Sequence, residues 1–195
     1  MRNRTAVVLL CLLAAAWAGC ASPRSNFYTL SALSKPAAGS AGASVAVGPV
    51  TVPEIVARPQ IVVRTGPHQV DLDDFNRWGS PLDDDIARVV AANLAAILGN
   101  PQVSVYPAAT AAGARYRVAV DVVAFDSSPG ESATLDALWV VRDAKNGSTG
   151  AGRTTVREAA PEKGYPALVA AHSRAIAMMS EEIAGAIRAM EREGR

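Results

Sequence analysis

The spacing of apolar positions along this chain changes period several times, and each change marks a predicted element. Runs of β-branched residues bounded by Pro and Gly, "VAVGPVTVP" from Val45, "PQIVVRT" from Pro59 and "HQVDL" from His68, predict short strands. In "QIVVRT", Ile61, Val63 and Thr65 alternate with Gln60, Val62 and Arg64, which predicts one mostly apolar face. Residues 80–99 switch to a helical period, with Ile86, Val89, Val90, Leu94 and Ile97 on one stripe. Ser80 is placed to cap that helix, Pro81 suits its first turn, Asp83 to Asp85 complement the dipole, and Gly99 with Pro101 ends it. "QVSVYP" then reads as a short strand. "ARYRVAVDVVAFD" reads as a longer one with Tyr116, Val118, Val120 and Val122 on a shared face. Two further strands flank Asn146-Gly147, a hairpin turn, so three neighbouring antiparallel strands are expected. From Pro166 to about Glu191 a second helix carries Val169, His172, Ile176, Met179, Ile183, Ala186 and Met190 on one stripe. The fold class that follows is α/β in the mixed α+β sense: a single compact domain, with a mixed, largely antiparallel sheet covered by two main helices.

The first residues break this pattern. "MRNRTAVVLLCLLAAAWAGC" has two arginines, an apolar core from Ala6 to Trp17 and small residues before Cys20, the order of a signal peptide. The core is shorter than the roughly 18 to 20 residues that span a bilayer as a helix. Of the two cysteines, Cys11 would leave with the signal, so Cys20 would have no partner for an internal disulfide. Trp17-Ala18-Gly19-Cys20 resembles the lipobox of bacterial lipoproteins, in which the cysteine is acylated and becomes the new N-terminus. Trp17 stands where an aliphatic residue is usual. At about 0.8 kcal/mol per buried CH₂, two or three acyl chains hold a protein at a membrane essentially irreversibly. Ala21 replaces the Asp that commonly retains such proteins at the inner membrane, which by resemblance favours the outer one. The expected organisation is a signal peptide over 1–19, a lipid-anchored flexible tether over 20–44 with a short strand near 27–30, and a folded domain over 45–195.

Charge and composition narrow the function. Lys+Arg 19 against Asp+Glu 18 leaves no field that would draw the chain onto nucleic acid. His68 and His172 are the only imidazoles, no serine sits in a G-x-S-x-G elbow, and His172 falls on a packing stripe, so no catalytic residues are assigned. The acidic stretch "DLDDFNRWGSPLDDD" fails the calcium-loop spacing. Counted from Asp71, Phe75, Asn76 and Leu82 occupy positions that need an oxygen ligand, Gly and Glu, so it reads as a solvated turn and helix start, with no metal expected. "NGSTGAG" lacks the Lys-Ser/Thr of a phosphate loop and is read as a turn, so energy for any driven process would come from a partner. No cofactor is called for. Arg58 and Arg64 bracket the "RPQIVVR" strand, where they either solubilise an edge or bind a phosphate headgroup or an acidic partner.

The segments "VGPVTVPEIVARPQIVVRTGP", "NRWGSPLDDDIARVVAANLAAIL" and "YPALVAAHSRAIAMMSEEIAGAI", in that order behind a lipobox, resemble the ABC-type transport auxiliary lipoproteins, PqiC-like members above all. The matches are Arg58-Pro59-Gln60-Ile61-Val62 with Arg64, Trp78 with Pro81-Leu82, Tyr116-Arg117-Val118, and Ser173-Arg174-Ala175. Gly79 stands where Ala is usual. The resemblance implies a compact α/β fold and a non-enzymatic periplasmic subunit, lipid-anchored to the outer membrane, of an MCE-type (mammalian-cell-entry domain) system. Such systems move lipids or other hydrophobic molecules between membranes and support envelope integrity. Implied partners are an MCE-domain protein anchored in the inner membrane and an ABC transporter, and a homo-oligomer is left open. The expected mechanism is docking, in which Cys20 carries the anchor and a sheet edge or helix face receives the partner. Arg58, Gln60, Arg64, Arg77 and Trp78 are the candidate partner-binding residues. The alternatives are a lipoprotein that assists assembly of outer-membrane components and an envelope hydrolase.

Overall fold

Each predicted change of period corresponds to an element, and the packing explains why the elements sit where they do. The computed structural model describes residues 24–37 and 42–193. Its strands are β1 (Asn26–Tyr28), β2 (Val45–Thr51), β3 (Gln60–Gly66), β4 (Gln69–Trp78), β5 (Val103–Val105), β6 (Tyr116–Ser128), β7 (Ser132–Asp143) and β8 (Thr149–Ala159). Its long helices are α1 (Leu82–Leu98) and α2 (Tyr165–Glu193). The fold is mixed α+β in one compact domain, but the strands form two sheets rather than the one expected. The larger has the order β5-β2-β6-β7-β8, with β2 parallel to β5 and β6, and β6, β7 and β8 antiparallel. The smaller has the order β1-β4-β3, with β1 parallel to β4 and β3 antiparallel to it.

The period-two face of β6, Tyr116, Val118, Val120 and Val122, is buried as expected, and so are Leu135, Ala137, Trp139 and Val141 of β7. Both helices cover this face, α2 across β7 and β8 and α1 against β2 and α2. On α1, Ile86, Val89, Val90 and Leu94 are buried, while Ile97 is partly so. The opposite face of the large sheet leaves Val123, Leu138 and Val140 exposed. Gly99 ends α1 in the left-handed conformation (φ 58°), its N–H directed to the carbonyls of Ala95 and Ala96. At the other end Pro81 holds the N-cap position and no side chain caps the helix, so Ser80 does not play its expected part. Burial of β3 also departs from alternation: Ile61, Val62 and Val63 are all buried. Val62 lines the seam between the two sheets with Val56 and Phe125, which covers the face expected to be polar.

The acidic stretch is not a solvated turn. β4 runs through it to Trp78, with a bulge between the register pairs Ile61–Asp73 and Gln60–Arg77. Asp73 holds the bulge together. Its Oδ1 accepts the N–H groups of Phe75 (2.8 Å) and Asn76 (2.9 Å), and its Oδ2 accepts the Tyr165 hydroxyl of α2 at 2.7 Å. The Tyr165 hydrogen bond, ahead of the others, holds the Asp73 carboxyl below the usual range.

The largest departure concerns residues 29–37, expected to be flexible tether beyond the short strand near 27–30, which β1 supplies. Leu30 is buried, and its N–H donates to Asp85 Oδ2 at 2.7 Å, while Arg88 pairs with Asp85 and donates to the Leu30 carbonyl at 2.9 Å. Ser31 N–H donates to Ser173 Oγ at 3.1 Å, the N–H groups of Leu33 and Ser34 to Asn93 Oδ1, and Ala37 N–H to the Ala96 carbonyl. Asp85, Asn93 and Ser173 are themselves buried. An extended segment has no internal partners for its amides, and here helix side chains supply them. The segment is therefore part of the domain.

His172 lies on the α2 stripe, fully buried, as the packing reading expects. Its ring stacks on Phe125 with centroids 3.7 Å apart, its Nε2 is 2.8 Å from Ser127 Oγ, and Phe125 meets Trp78 edge-on at 6.1 Å. Burial pushes the imidazole pKa down to about 3, so it is neutral in the folded protein.

Two outcomes follow. Asp85→Ala leaves the Leu30 N–H and Arg88 without their acceptor, and should cost about 2–3 kcal/mol in denaturant unfolding, with Asp85→Asn costing about half as much. A cost below about 0.5 kcal/mol for the alanine variant would show that the clamp contributes little. The unfolded chain takes up a proton at His172 near the ordinary imidazole value of about 6.5, whereas the folded chain does so only near 3. Stability should therefore fall with pH through that window, by up to about 1.4 kcal/mol per pH unit. In His172→Phe the part of this slope between pH 6.5 and 4.5 should disappear, and equal slopes in the two proteins would contradict the assignment.

Candidate functional site

The two sequence segments that carry the resemblance meet in space. A turn over residues 53–59 delivers Arg58 and Pro59 to the start of β3, while β4 ends at Trp78 directly before α1. The join is made by backbone: Trp78 N–H donates to the Pro59 carbonyl at 2.7 Å, and Gly79 N–H to the Tyr28 carbonyl at 2.8 Å. At Gly79 a Cβ would stand 3.0 Å from Thr29 Cγ2, so its lack of a side chain lets the residues after β1 lie close.

Around this join lies a cavity of about 490 Å³, in the range that holds small ligands or an inserted side chain. Arg58, Pro59, Trp78, Ser80, Leu82 and Asp83 line it. Trp78 and Leu82 are buried and supply an apolar floor. The Trp78–Phe125–His172 ring stack backs that floor with the core. Arg58 is half-buried, and among the described residues its solvent-shielded Nε has no hydrogen-bond acceptor. A buried donor left unpaired costs about 1–3 kcal/mol. The uncapped first turn of α1 adds further free N–H donors, while Asp83 places a carboxylate on the same rim. The arrangement suits a ligand with an apolar group and a hydrogen-bond acceptor. Ser127 and His172 do form a hydroxyl–imidazole pair, but at 3% and 0% exposure it cannot reach a substrate in solvent.

The other sequence-predicted residues divide between two places. Gln60 and Arg77 are register partners on β3 and β4, and Phe27 of β1 pairs with Arg77 on its other side, so one row crosses the small sheet. Arg77 Nε donates to the Asp74 carbonyl at 3.0 Å. Arg64 lies apart, at the sheet seam, paired with Asp126 at 2.5 Å and flanking a smaller cavity of about 290 Å³. Both members of that pair are more than a third exposed, so it contributes little stability. Cys20 and the signal segment over 1–19 lie outside the described residues. Sequence reasoning missed Asp85, Asn93 and Ser173 as holders of the N-terminal segment. The available signal was a polar residue in each otherwise apolar helix stripe.

Among proteins of curated function, none matches the chain. Solved structures that share the fold include two that align over most of this chain. A crystal structure of an uncharacterized protein aligns with a TM-score of 0.69 and 20% identity over 85% of this chain and 99% of the other. The crystal structure of protein XCC0632 from Xanthomonas campestris aligns with a TM-score of 0.70 and 18% identity over 88% of this chain and 100% of the other. The model of the family described as ABC-type transport auxiliary lipoprotein component matches residues 28–184, which contain both walls of the cavity, the clamp, α1 and the first two thirds of α2, and the chain belongs to that family.

Proposed function

We propose that this protein is a non-enzymatic subunit of an MCE-type, ABC-associated system that moves lipids or other hydrophobic molecules between membranes. Acylated Cys20 holds it at the outer membrane with the domain in the periplasm, where it receives an MCE-domain protein anchored in the inner membrane. The observation that carries the docking part is the cavity. Family-matching segments from separate parts of the chain build it, its floor is apolar, and the half-buried Arg58 lines it. An apolar side chain of the partner fills the floor while a backbone carbonyl or carboxylate beside it accepts from Arg58. Arginine and tryptophan at the centre of a concave site are the residue types that dominate binding energy when they are buried by a partner.

The test uses the full chain and the MCE-domain protein encoded in the same system. Arg58→Glu should lower co-purification roughly tenfold or more, while Arg142→Glu, exposed on β7 away from the cavity, should leave it unchanged. Equal retention of both variants would remove the cavity as the docking site. Retention by a barrel-assembly protein instead of the MCE protein would favour the assembly reading. Cys20→Ser should yield a folded protein in the soluble fraction with transport lost, and an unchanged membrane fraction would sink the anchor reading.

A further inference from the structure

The row across the small sheet has two unlike faces. Asn26, Tyr28 and Asn76 share one face: Asn26 Nδ2 and the Tyr28 hydroxyl both donate to Asn76 Oδ1, and the Tyr28 ring lies 5.8 Å from Tyr165 of α2. Side chains alternate along a strand, so Phe27 and its register partner Arg77 turn outward. Phe27 is 66% exposed and Phe75, two residues before Arg77, is 43% exposed. Single exposed apolar residues are ordinary, and these two alone would identify nothing. Their position relative to Cys20 is what distinguishes them. Asn26 lies six residue steps after Cys20, and a fully extended chain of that length reaches about 20 Å. The clamp between Leu30 and Asp85 prevents β1 from paying out more chain. An anchor at Cys20 therefore keeps the start of β1 within about 20 Å of the membrane, close enough for the exposed Phe27 ring to reach it.

We propose that the face formed by Phe27, Phe75 and Arg77 rests against the phospholipid surface that holds the anchor. The rings enter the interfacial zone and the guanidinium lies among the headgroup phosphates. This inference rests on the anchor reading of Cys20. Arg24, exposed ahead of β1, adds a second cation, whereas exposed Asp71 and Asp74 oppose it, so local charge nearly cancels and the aromatic rings supply the attraction. The contact is therefore insensitive to salt. Tethering makes it an intramolecular event, so weak insertion is enough to populate it. It also fixes the orientation of the domain. Trp78 is the register partner of Tyr28, so the cavity opens beside the strand that meets the membrane, and a partner seated there delivers or collects its cargo at the lipid surface.

The test uses the full lipidated chain reconstituted in vesicles of phosphatidylethanolamine and phosphatidylglycerol with brominated acyl chains. Phe27→Trp and, separately, Phe75→Trp should show indole emission quenched severalfold more than the wild type. The wild-type background comes from Trp78 and Trp139, which are 6% and 7% exposed. The quenching should hold between roughly 50 and 500 mM salt. Val140→Trp, at a position 42% exposed on the open face of the large sheet, should match the wild type. If the protein sediments with the vesicles but Phe27→Trp and Phe75→Trp are quenched no more than Val140→Trp, the membrane contact is wrong and the anchor reading survives. Protection of those indoles only after the MCE-domain protein is added would reassign the face to a protein partner. Failure to sediment with the vesicles would overturn the anchor reading and this contact together.

Discussion

The buried carboxylate of Asp85 is the group on which the working end of this protein depends. It stands at the start of α1, accepts the Leu30 N–H and pairs with Arg88, which in turn donates to the Leu30 carbonyl. A charge at 2% exposure is tolerable only when its lone pairs are matched, and one residue of extended chain together with one arginine match them. The consequence runs outward from there. With Leu30 fixed, β1 pairs with β4 and the Tyr28 carbonyl accepts Gly79 N–H. Trp78 is then held at the bottom of the cavity and Phe27 on the outside of the sheet. The Ser173 and Asn93 contacts extend the same arrangement along both helices.

This arrangement ties the cavity to the outward row of the small sheet. The cavity between β3, β4 and α1 has an apolar floor, a half-buried arginine and a carboxylate on its rim, which suits recognition of another chain better than bond making. The outward row of Phe27 and Arg77 begins on the same short strand. An anchor on a long mobile tether would leave the cavity free to face any direction. Holding residues 30–37 on the two helices leaves only a few residues between Cys20 and the fold, so an anchor at Cys20 would keep the cavity near the membrane. For a subunit of a transport assembly, that relation is as consequential as the chemistry of the cavity itself.

Much of the fold was legible in the sequence, because period-two and helical stripes report directly on burial. β6, the hairpin at Asn146-Gly147, α1 and the whole α2 stripe all follow from spacing. The departures share one cause. Where long-range side-chain hydrogen bonds replace ladder or helix bonds, the sequence carries no local period. The Ser- and Ala-rich segment after β1 looks like linker because the groups that order it, Asp85, Asn93 and Ser173, are about 55 to 140 residues away. Asp73 and Tyr165, 92 residues apart, likewise turn an apparently solvated acidic turn into a bulged strand. Of the candidate site, Arg58 and Trp78 came together and Gln60 and Arg77 fell on one row, while Arg64 is taken up by Asp126 at the seam. Their common face could not be read from the chain, since the bulge in β4 shifts the register between them.

The most direct test of the central claim is backbone hydrogen exchange on the full lipidated chain, followed at the amides of Leu30, Ser31, Leu33 and Ser34. If this segment belongs to the domain, these amides exchange slowly and at rates comparable with those of the helices that hold them. Exchange at the rate of an unprotected chain would show that the segment is a free tether, and the nearness of anchor and cavity would fail with it.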